Sequence, residues 1–310
     1  MPSIRPLSPE LQKVAIEQLN EVPDRIDDDI AALRTWIEQQ PHLKARTDDQ
    51  FLVTFLRGCK YSLEKAKAKI DRFYTLRTRY PDYFTGHNVN VDELIKIFRL
   101  GVIIYLPQPL KDNGPRVGIM RMAAYNPDEY NFSEINRAAQ MMQQIVLNED
   151  DEAIVNGVVH IMDLANIKAG HLLQMTPSLA KKLTVYQEEG VPLRPKGGHF
   201  INTPGGFDKV FNFVRPMLSE KQRNRMYMHG SNWNALFEQI PQKYLPIEYG
   251  GENGSIPEII KSWEERILAM KDYYVEENNY GTDEKLRPGK PVDFENLFGL
   301  EGSFRKLNVD

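Results

Sequence analysis

Val158-Val159-His160-Ile161-Met162 is the stretch on which the fold turns: apolar and largely β-branched, it reads as a buried strand. Working back along the chain, Phe132 to Leu147 has helical character and ends near the acidic run Asn148-Glu149-Asp150-Asp151-Glu152. Two earlier strands are predicted, Gly101 to Leu106 and Arg116 to Met122, separated by the turn residues Lys111-Asp112-Asn113-Gly114-Pro115. Working forward, Thr176-Pro177 caps a helix expected to run to Glu189. A short strand follows at His199-Phe200-Ile201-Asn202, and Thr203-Pro204 opens another helix. Strands alternating with helices predict an α/β fold with a mostly parallel sheet flanked by helices.

The regions on either side read differently. Ser8-Pro9 is a helix start, and Ile26, Ile30, Leu33 and Ile37 recur at helical spacing. Thr47 with Gln50 resembles a capping box, followed by the apolar Phe51, Leu52, Phe55 and Leu56. A further helix begins at Ser62 and ends at Tyr80-Pro81. At the other end Ser255 and Glu258 form a capping box for a helix to about Val275, and the chain after Asn278 looks irregular. The expected organisation is a helical region over residues 1–88, an α/β domain over 89–254, and a helix with an irregular tail over 255–310.

Composition narrows the function. With 41% hydrophobic and 26% charged residues among 310, the chain can build a substantial core. A net charge of −4 argues against a nucleic-acid partner bound through bulk electrostatics. The single cysteine, Cys59, excludes an internal disulfide and reads as a buried, inert thiol. Met1 to Glu10 lacks the apolar core of a signal peptide, and no apolar run approaches the ~20 residues of a membrane-spanning helix, so a cytoplasmic protein is expected. Any lipid it handles must be hidden inside it.

The motifs of common chemistries are missing. There is no phosphate-binding loop, no dinucleotide fingerprint and no nucleophile elbow; Gly250-Gly251-x-x-Gly254 lacks the required spacing. Histidines 42, 87, 160, 171, 199 and 229 are scattered and read as structural or exposed. The run Glu149 to Glu152 lacks the glycine and distant glutamate of a calcium loop and reads as a solvated helix terminus. A protein that is not an enzyme, with no catalytic residue, metal or cofactor, is expected.

Several segments carry a family resemblance. Phe51-Leu-Val-Thr-Phe-Leu-Arg57-Gly-Cys-Lys60-Tyr resembles a helix of CRAL-TRIO N-terminal regions. Val159-His-Ile-Met-Asp163-Leu164 resembles the central strand of the CRAL-TRIO lipid-binding domain, and Gln174 to Lys182 the helix after it. Gly197 to Pro204 is similar to the next strand and turn, and Tyr244-Leu-Pro246-Ile-Glu248-Tyr249-Gly250-Gly251 to the closing motif. These five segments keep the family's order from about residue 45 to 275, in the manner of its tocopherol- and retinaldehyde-carrying members. The resemblance implies an intracellular carrier of a retinoid, carotenoid or tocopherol-like lipid that exchanges its cargo at phosphoinositide-containing membranes. A phosphatidylinositol or other phospholipid transfer protein is the alternative, since fold alone does not fix cargo.

By the same resemblance the pocket wall comprises Val158, Met162, Met175, Tyr186, Val191, Leu193, Phe207, Phe211 and Val214, with Ala139 and Gln143 from the preceding helix. Each could equally be a core residue. Tyr186, Gln143 and Gln187 are candidates to hydrogen-bond a hydroxyl or carbonyl of the cargo. Small or polar residues at Asn136, Ala169, Gln187 and Gly198 replace bulky ones of the tocopherol carriers, which implies a larger or differently shaped cavity. The family's mobile gate falls on the segment from Phe207 to Leu218, which has Gly205-Gly206 before it and Pro216 within it. Its phosphoinositide ligands fall on Arg194, Lys221 and Arg225; a fourth falls on Cys59, whose neighbour Lys60 is the available cation.

Overall fold

The computed structural model describes residues 4–84, 91–111 and 113–298; the side chains of residues 210, 213, 214, 217, 295 and 296 are not described. The expected boundary at residue 88 lies outside the described residues.

The N-terminal region is helical: α1 (Pro9–Leu19), α2 (Ile26–Glu38), α3 (Asp49–Gly58) and α4 (Leu63–Arg79). Ser8 Oγ accepts from the Leu11 amide and Pro9 takes the first turn of α1. The stripe Ile26, Ile30, Leu33, Ile37 is buried as its spacing requires. The cap of α3 is Asp48, whose Oδ1 accepts from the Phe51 amide at 2.9 Å, where Thr47 was expected. Residues 50–57 of α3 are all buried, because this helix is wedged between the helical region and the α/β domain. Arg57 makes that burial possible. Its Nε donates to Glu21 at 2.8 Å with both side chains almost fully enclosed, and its Nη1 reaches Asp151 at 3.4 Å. Burial works against ionising Glu21, but Arg57, Gln12 and Tyr61 together hold it below the usual carboxylate range.

The α/β domain is built on five strands: β1 (Ile103–Tyr105), β2 (Arg116–Arg121), β3 (Val158–Asp163), β4 (Pro195–Ile201) and β5 (Met226–Gly230). They lie in the order β1-β2-β3-β4-β5; β1 is antiparallel to β2 and the remaining pairs are parallel. β4 starts at Pro195, four residues before the expected His199, because its first half pairs with β3 through Gly197 and Gly198. Met226–Gly230, left unassigned from sequence, is the edge strand. Helices α5 (Phe132–Glu149) and α6 (Pro177–Val185) cross between strands. α6 stops at Val185 and gives way to a π turn over Tyr186–Gly190, so the helix expected to reach Glu189 changes its winding there. A helix α7 (Phe207–Val214) and the turn Arg215–Met217 connect β4 towards β5. After α8 (Ile256–Ala269) the chain kinks at Met270 into Lys271–Glu277. The tail retains a two-residue strand, Gly281–Thr282, paired with Leu43–Lys44.

Strand register assigns side chains to the two faces. Ile104, Val117, Ile119, Val159, Ile161 and Ile201 share one face and are buried in the main core. Tyr105, Gly118, Met120, His160, Met162, Gly198, Phe200 and Met226 share the other.

The acidic run at the end of α5 is fully engaged. Asp150 caps the short helix Asp151–Asn156 and pairs with Arg116, Glu149 pairs with Arg266, and Asp151 with Arg5. These arginines and Trp263 border a cleft of about 540 Å³ between the N-terminal segment and α8. Among the described residues no helix is long and apolar enough to cross a membrane.

Candidate functional site

The second face of the sheet carries the site. β3 is the central strand, flanked on both sides and covered by helices. On its main-core face Val159 and Ile161 are buried, yet on the other face His160 and Met162 keep accessible surface. A central strand has no route to bulk solvent at mid-length, so that surface borders a hollow between the sheet and its helices. Burial among surrounding protein lowers the His160 imidazole to about 4, which fits a side chain enclosed by the fold.

Around the hollow lies an apolar cluster separate from the main core. Val102, Met122, Tyr125, Phe132, Ile135, Leu164, Leu179 and Phe200 are its buried members. Met120, Met162, Met175, Leu183, Phe207, Phe211 and Met226 join it half-buried. Four methionines and two phenylalanines are among the half-buried members, and methionine adapts readily to the shape of a guest. Gly198 leaves room: a Cβ there would sit 3.6 Å from Met162 Cε and 3.8 Å from Met226 Cγ, ordinary contact distances.

Helix α7 closes one side. Gly206, at its N-cap, has φ +83°, a conformation that disfavours any side chain, and neither Gly205 nor Gly206 has a neighbour within 4 Å of a built Cβ. Phe207 and Phe211 turn inward onto Phe200, with ring centroids 5.9 and 5.5 Å away, while Asp208, Lys209 and Asn212 face outward.

Four neutral polar side chains stand on the same face, nearer the start of the strands. The His160 ring lies 6.0 Å from the Tyr105 ring. Gln143, buried on α5, donates from Nε2 to Gln187 Oε1 at 3.3 Å and its side-chain amide also lies against the Tyr105 phenol; its own Oε1 is buried without a hydrogen-bond partner.

The structure distributes the expected pocket residues unevenly. Met162, Met175, Phe207 and Phe211 gather in the cluster around the hollow, and Gln143 and Gln187 meet at its polar end. Ala139 is buried on α5. Val158, Val191, Leu193 and Tyr186 belong to the main core, and Tyr186 is stacked between Phe84 at 4.1 Å and Phe73 at 6.0 Å. The Val214 side chain lies outside the described residues. Sequence reading passed over Tyr105, Met120, His160, Phe200 and Met226. Strand alternation could have supplied His160, which is two residues from Met162 and therefore on its face.

The expected basic residues converge outside the hollow. Burial comes first in lowering the pKa of Arg194, Lys196 and Lys221, and mutual repulsion adds to it: Arg225 acts on all three, and Lys60 on both lysines. Among the described residues none of these five cations has a carboxylate within salt-bridge distance. Arg225 is anchored by donating to the Pro195 carbonyl at 2.5 Å, and Arg194 by donating to the Val155 carbonyl. Cys59 is buried, and burial pushes its thiol pKa up.

An apolar hollow on the covered face of the sheet, bordered by Met162, Met175, Phe207, Phe211 and Met226, is the kind of surface that a lipid-binding domain presents. The comparisons agree. The CRAL/TRIO domain model matches residues 101–251, and a Pinta-like UBA domain model matches residues 22–94. The human alpha-tocopherol transfer protein-like is 30% identical over 272 residues, covering 87% of this chain and 78% of its own. Human clavesin-2 is 29% identical over 290 residues, covering 93% and 87%. A solved structure of Sfh5 aligns with TM-score 0.47 at 13% identity, over 87% of this chain and 99% of its own. The chain belongs to the CRAL/TRIO family of lipid-binding and lipid-transfer proteins.

Proposed function

We propose that this protein is an intracellular carrier that holds one terpenoid lipid, of the retinoid, carotenoid or tocopherol type, in the hollow beneath α7 and exchanges it at phosphoinositide-containing membranes. The observation that carries this reading is the accessible surface of His160 and Met162 on the covered face of the central strand. Burying hydrocarbon contributes roughly 0.8 kcal/mol per CH₂, so an apolar hollow of this kind supplies affinity with no catalytic group. The name of the tocopherol-transfer-like relative supports a lipid of this class. Helix α7, with Phe207 and Phe211 against Phe200, acts as the gate that closes in water and opens onto lipid. The uncompensated cations Arg194, Lys221, Arg225 and Lys60 suit a polyphosphorylated headgroup, which would dock the gate at a membrane surface. On this reading the protein is cytoplasmic, visits membranes transiently, and has neither a cofactor nor a nucleic-acid partner.

Organic extraction of the purified protein, followed by mass spectrometry, tests the assignment. A terpenoid in near-stoichiometric amount is the expected result. A phospholipid in its place would establish the phospholipid-exchanger alternative. No extractable lipid, together with no uptake of retinol or labelled phospholipid, would overturn the carrier reading.

A further inference from the structure

The polar end of the hollow is built from neutral groups on four different elements. His160 stands on β3, Tyr105 on β1, Gln143 on α5, and Gln187 on the π turn after α6. No hydrogen-bond partner faces the His160 imidazole among the described residues, and the ring stays neutral at physiological pH because burial holds it down. Burial, with Asp150 adding to it, keeps the Tyr105 phenol protonated. Gln143 Oε1 is a buried acceptor without a donor. Leaving a buried polar atom unpaired costs about 1–3 kcal/mol, so a cluster of under-used donors and acceptors in an apolar hollow is costly unless a guest completes it.

The two kinds of surface lie in a line. From His160 to Met162 the chain advances two residues along β3, about 6.6 Å, and the lining changes from polar to the methionines and phenylalanines under α7. An amphiphile seated here has its polar end deep and its hydrocarbon towards the gate.

We propose that this end of the hollow is a hydroxyl seat: a neutral lipid alcohol or phenol accepts a hydrogen bond from the His160 imidazole and donates one to Gln143 Oε1. This rests on the carrier reading and narrows it. A hydroxyl is both donor and acceptor and matches the two vacant roles. An ester has no proton for Gln143. A phosphodiester calls for cations, and the cations stand outside the hollow. Gln143 is the residue that determines specificity for the hydroxyl, and the neutral imidazole of His160 can supply the donor to its oxygen.

The test is fluorescence titration of the full-length protein with all-trans-retinol and with retinyl acetate. The unmodified protein should bind retinol about tenfold more tightly, the equivalent of one good hydrogen bond to the hydroxyl. Gln143→Leu should reduce that preference to less than threefold through weaker retinol binding, with acetate affinity unchanged. His160→Phe removes a donor that an ester oxygen can also use and should weaken both lipids, and His160→Asn, which restores a neutral donor and acceptor, should recover most of the lost affinity. Circular dichroism and melting curves identify a variant that fails to fold, and the other variant then decides. Equal affinity for the two lipids, a preference that survives Gln143→Leu, or lipid binding unmoved by His160→Phe overturns the hydroxyl seat and leaves the carrier reading standing. Binding of neither lipid overturns both.

Discussion

The Tyr249 hydroxyl donates a 2.7 Å hydrogen bond to Asp163 Oδ2, joining the closing motif to the end of the central strand. The other oxygen of that carboxylate accepts from Asn202 Nδ2 at 2.8 Å and from the Ala165 amide at 2.9 Å. Asn202 is the last residue before Thr203-Pro204-Gly205-Gly206, the segment that leads into α7, and its φ of +52° is a conformation that its short polar side chain tolerates. Asp163 therefore anchors Asn202 at the entry to α7, which on the carrier reading is the fixed end of the gate. Asp163→Ala removes all three hydrogen bonds and is expected to cost about 2–4 kcal/mol in urea unfolding and to speed cargo transfer to vesicles severalfold. Tyr249→Phe removes only the bond to the closing motif and should cost about 1–2 kcal/mol with the transfer rate unchanged. Equal acceleration by both substitutions would show that the Asp163–Asn202 bond does not hold the segment leading into α7.

The cluster of Arg194, Lys196, Lys221, Arg225 and Lys60 concentrates positive charge that forms no salt bridge among the described residues, with Glu188 acting on Lys221 only from a distance. Lys221→Ala with Arg225→Ala should weaken sedimentation with phosphoinositide-containing liposomes at least tenfold, with a shallower salt dependence. Cargo affinity in vesicle-free solution should hold within about twofold, because neither side chain enters the hollow. Unchanged liposome binding would disprove the docking assignment.

Two histidines make stability depend on pH. Burial lowers His160 to about 4, and burial with the neighbouring His229 lowers His199 to about 4, against an ordinary value of 6.5. His160 faces Tyr105, which in turn meets Gln143; His199 faces Tyr227 and His229, whose Nε2 lies 3.0 Å from its Nδ1. The unfolded chain takes up protons at these sites before the folded one does, so their contribution is complete above pH 6.5 and is lost as pH falls towards 4. Each accounts for about 2–3 kcal/mol over that range. Glu21 and Asp71, whose pKa values are lowered, lose their contributions only below their ordinary values of 4.5 and 3.8. Urea unfolding between pH 6.5 and 5 therefore isolates the histidines. Burial lowers His229 as well, so His160→Phe should flatten the slope there by about a third to a half, and an unaltered slope would mean that the imidazole is not enclosed.

Local chemistry made much of the fold legible. Caps at Ser8, Thr176 and Ser255, the stripe on α2 and the apolar run at Val158 each predict an element that is present. The misreadings come from tertiary structure. Gly197 and Gly198 do not look like strand residues, yet β4 includes them because β3 lies alongside. The end of α6 unwinds into a π turn where Tyr186 is drawn between Phe73 and Phe84, two rings far away in sequence. The site divided in the same way. Of the residues matched by family position, Met162, Met175, Phe207 and Phe211 lie in the second apolar cluster and Val158, Tyr186, Val191 and Leu193 in the main core, whereas His160 and Tyr105 become a polar pair only when β1 and β3 are placed on either side of Gly118, which lacks the Cβ that would crowd them: one there would lie 3.0 Å from each ring. The role of Arg57 was also hidden, since Glu21 and Asp151 meet it from 36 and 94 residues away.

Gly198 gives the most direct probe of the hollow. Glycine in the middle of a strand forfeits about 0.5–1 kcal/mol of backbone entropy relative to alanine, and here its φ imposes no need for it. A Cβ meets Met162 and Met226 at ordinary distance, so Gly198→Ala is accommodated and should leave unfolding free energy unchanged or raised by up to about 1 kcal/mol. Gly198→Leu extends three further carbons into the space between Met162, Met226 and Phe200 where a guest's hydrocarbon would lie. If that space is empty, leucine fills it without strain and competes with cargo: retinol uptake should fall at least tenfold while the melting temperature holds or rises. If the space is solid, overpacking should cost about 1–3 kcal/mol and lower the melting temperature. A destabilised Gly198→Leu protein that still takes up retinol normally would show that the guest sits elsewhere.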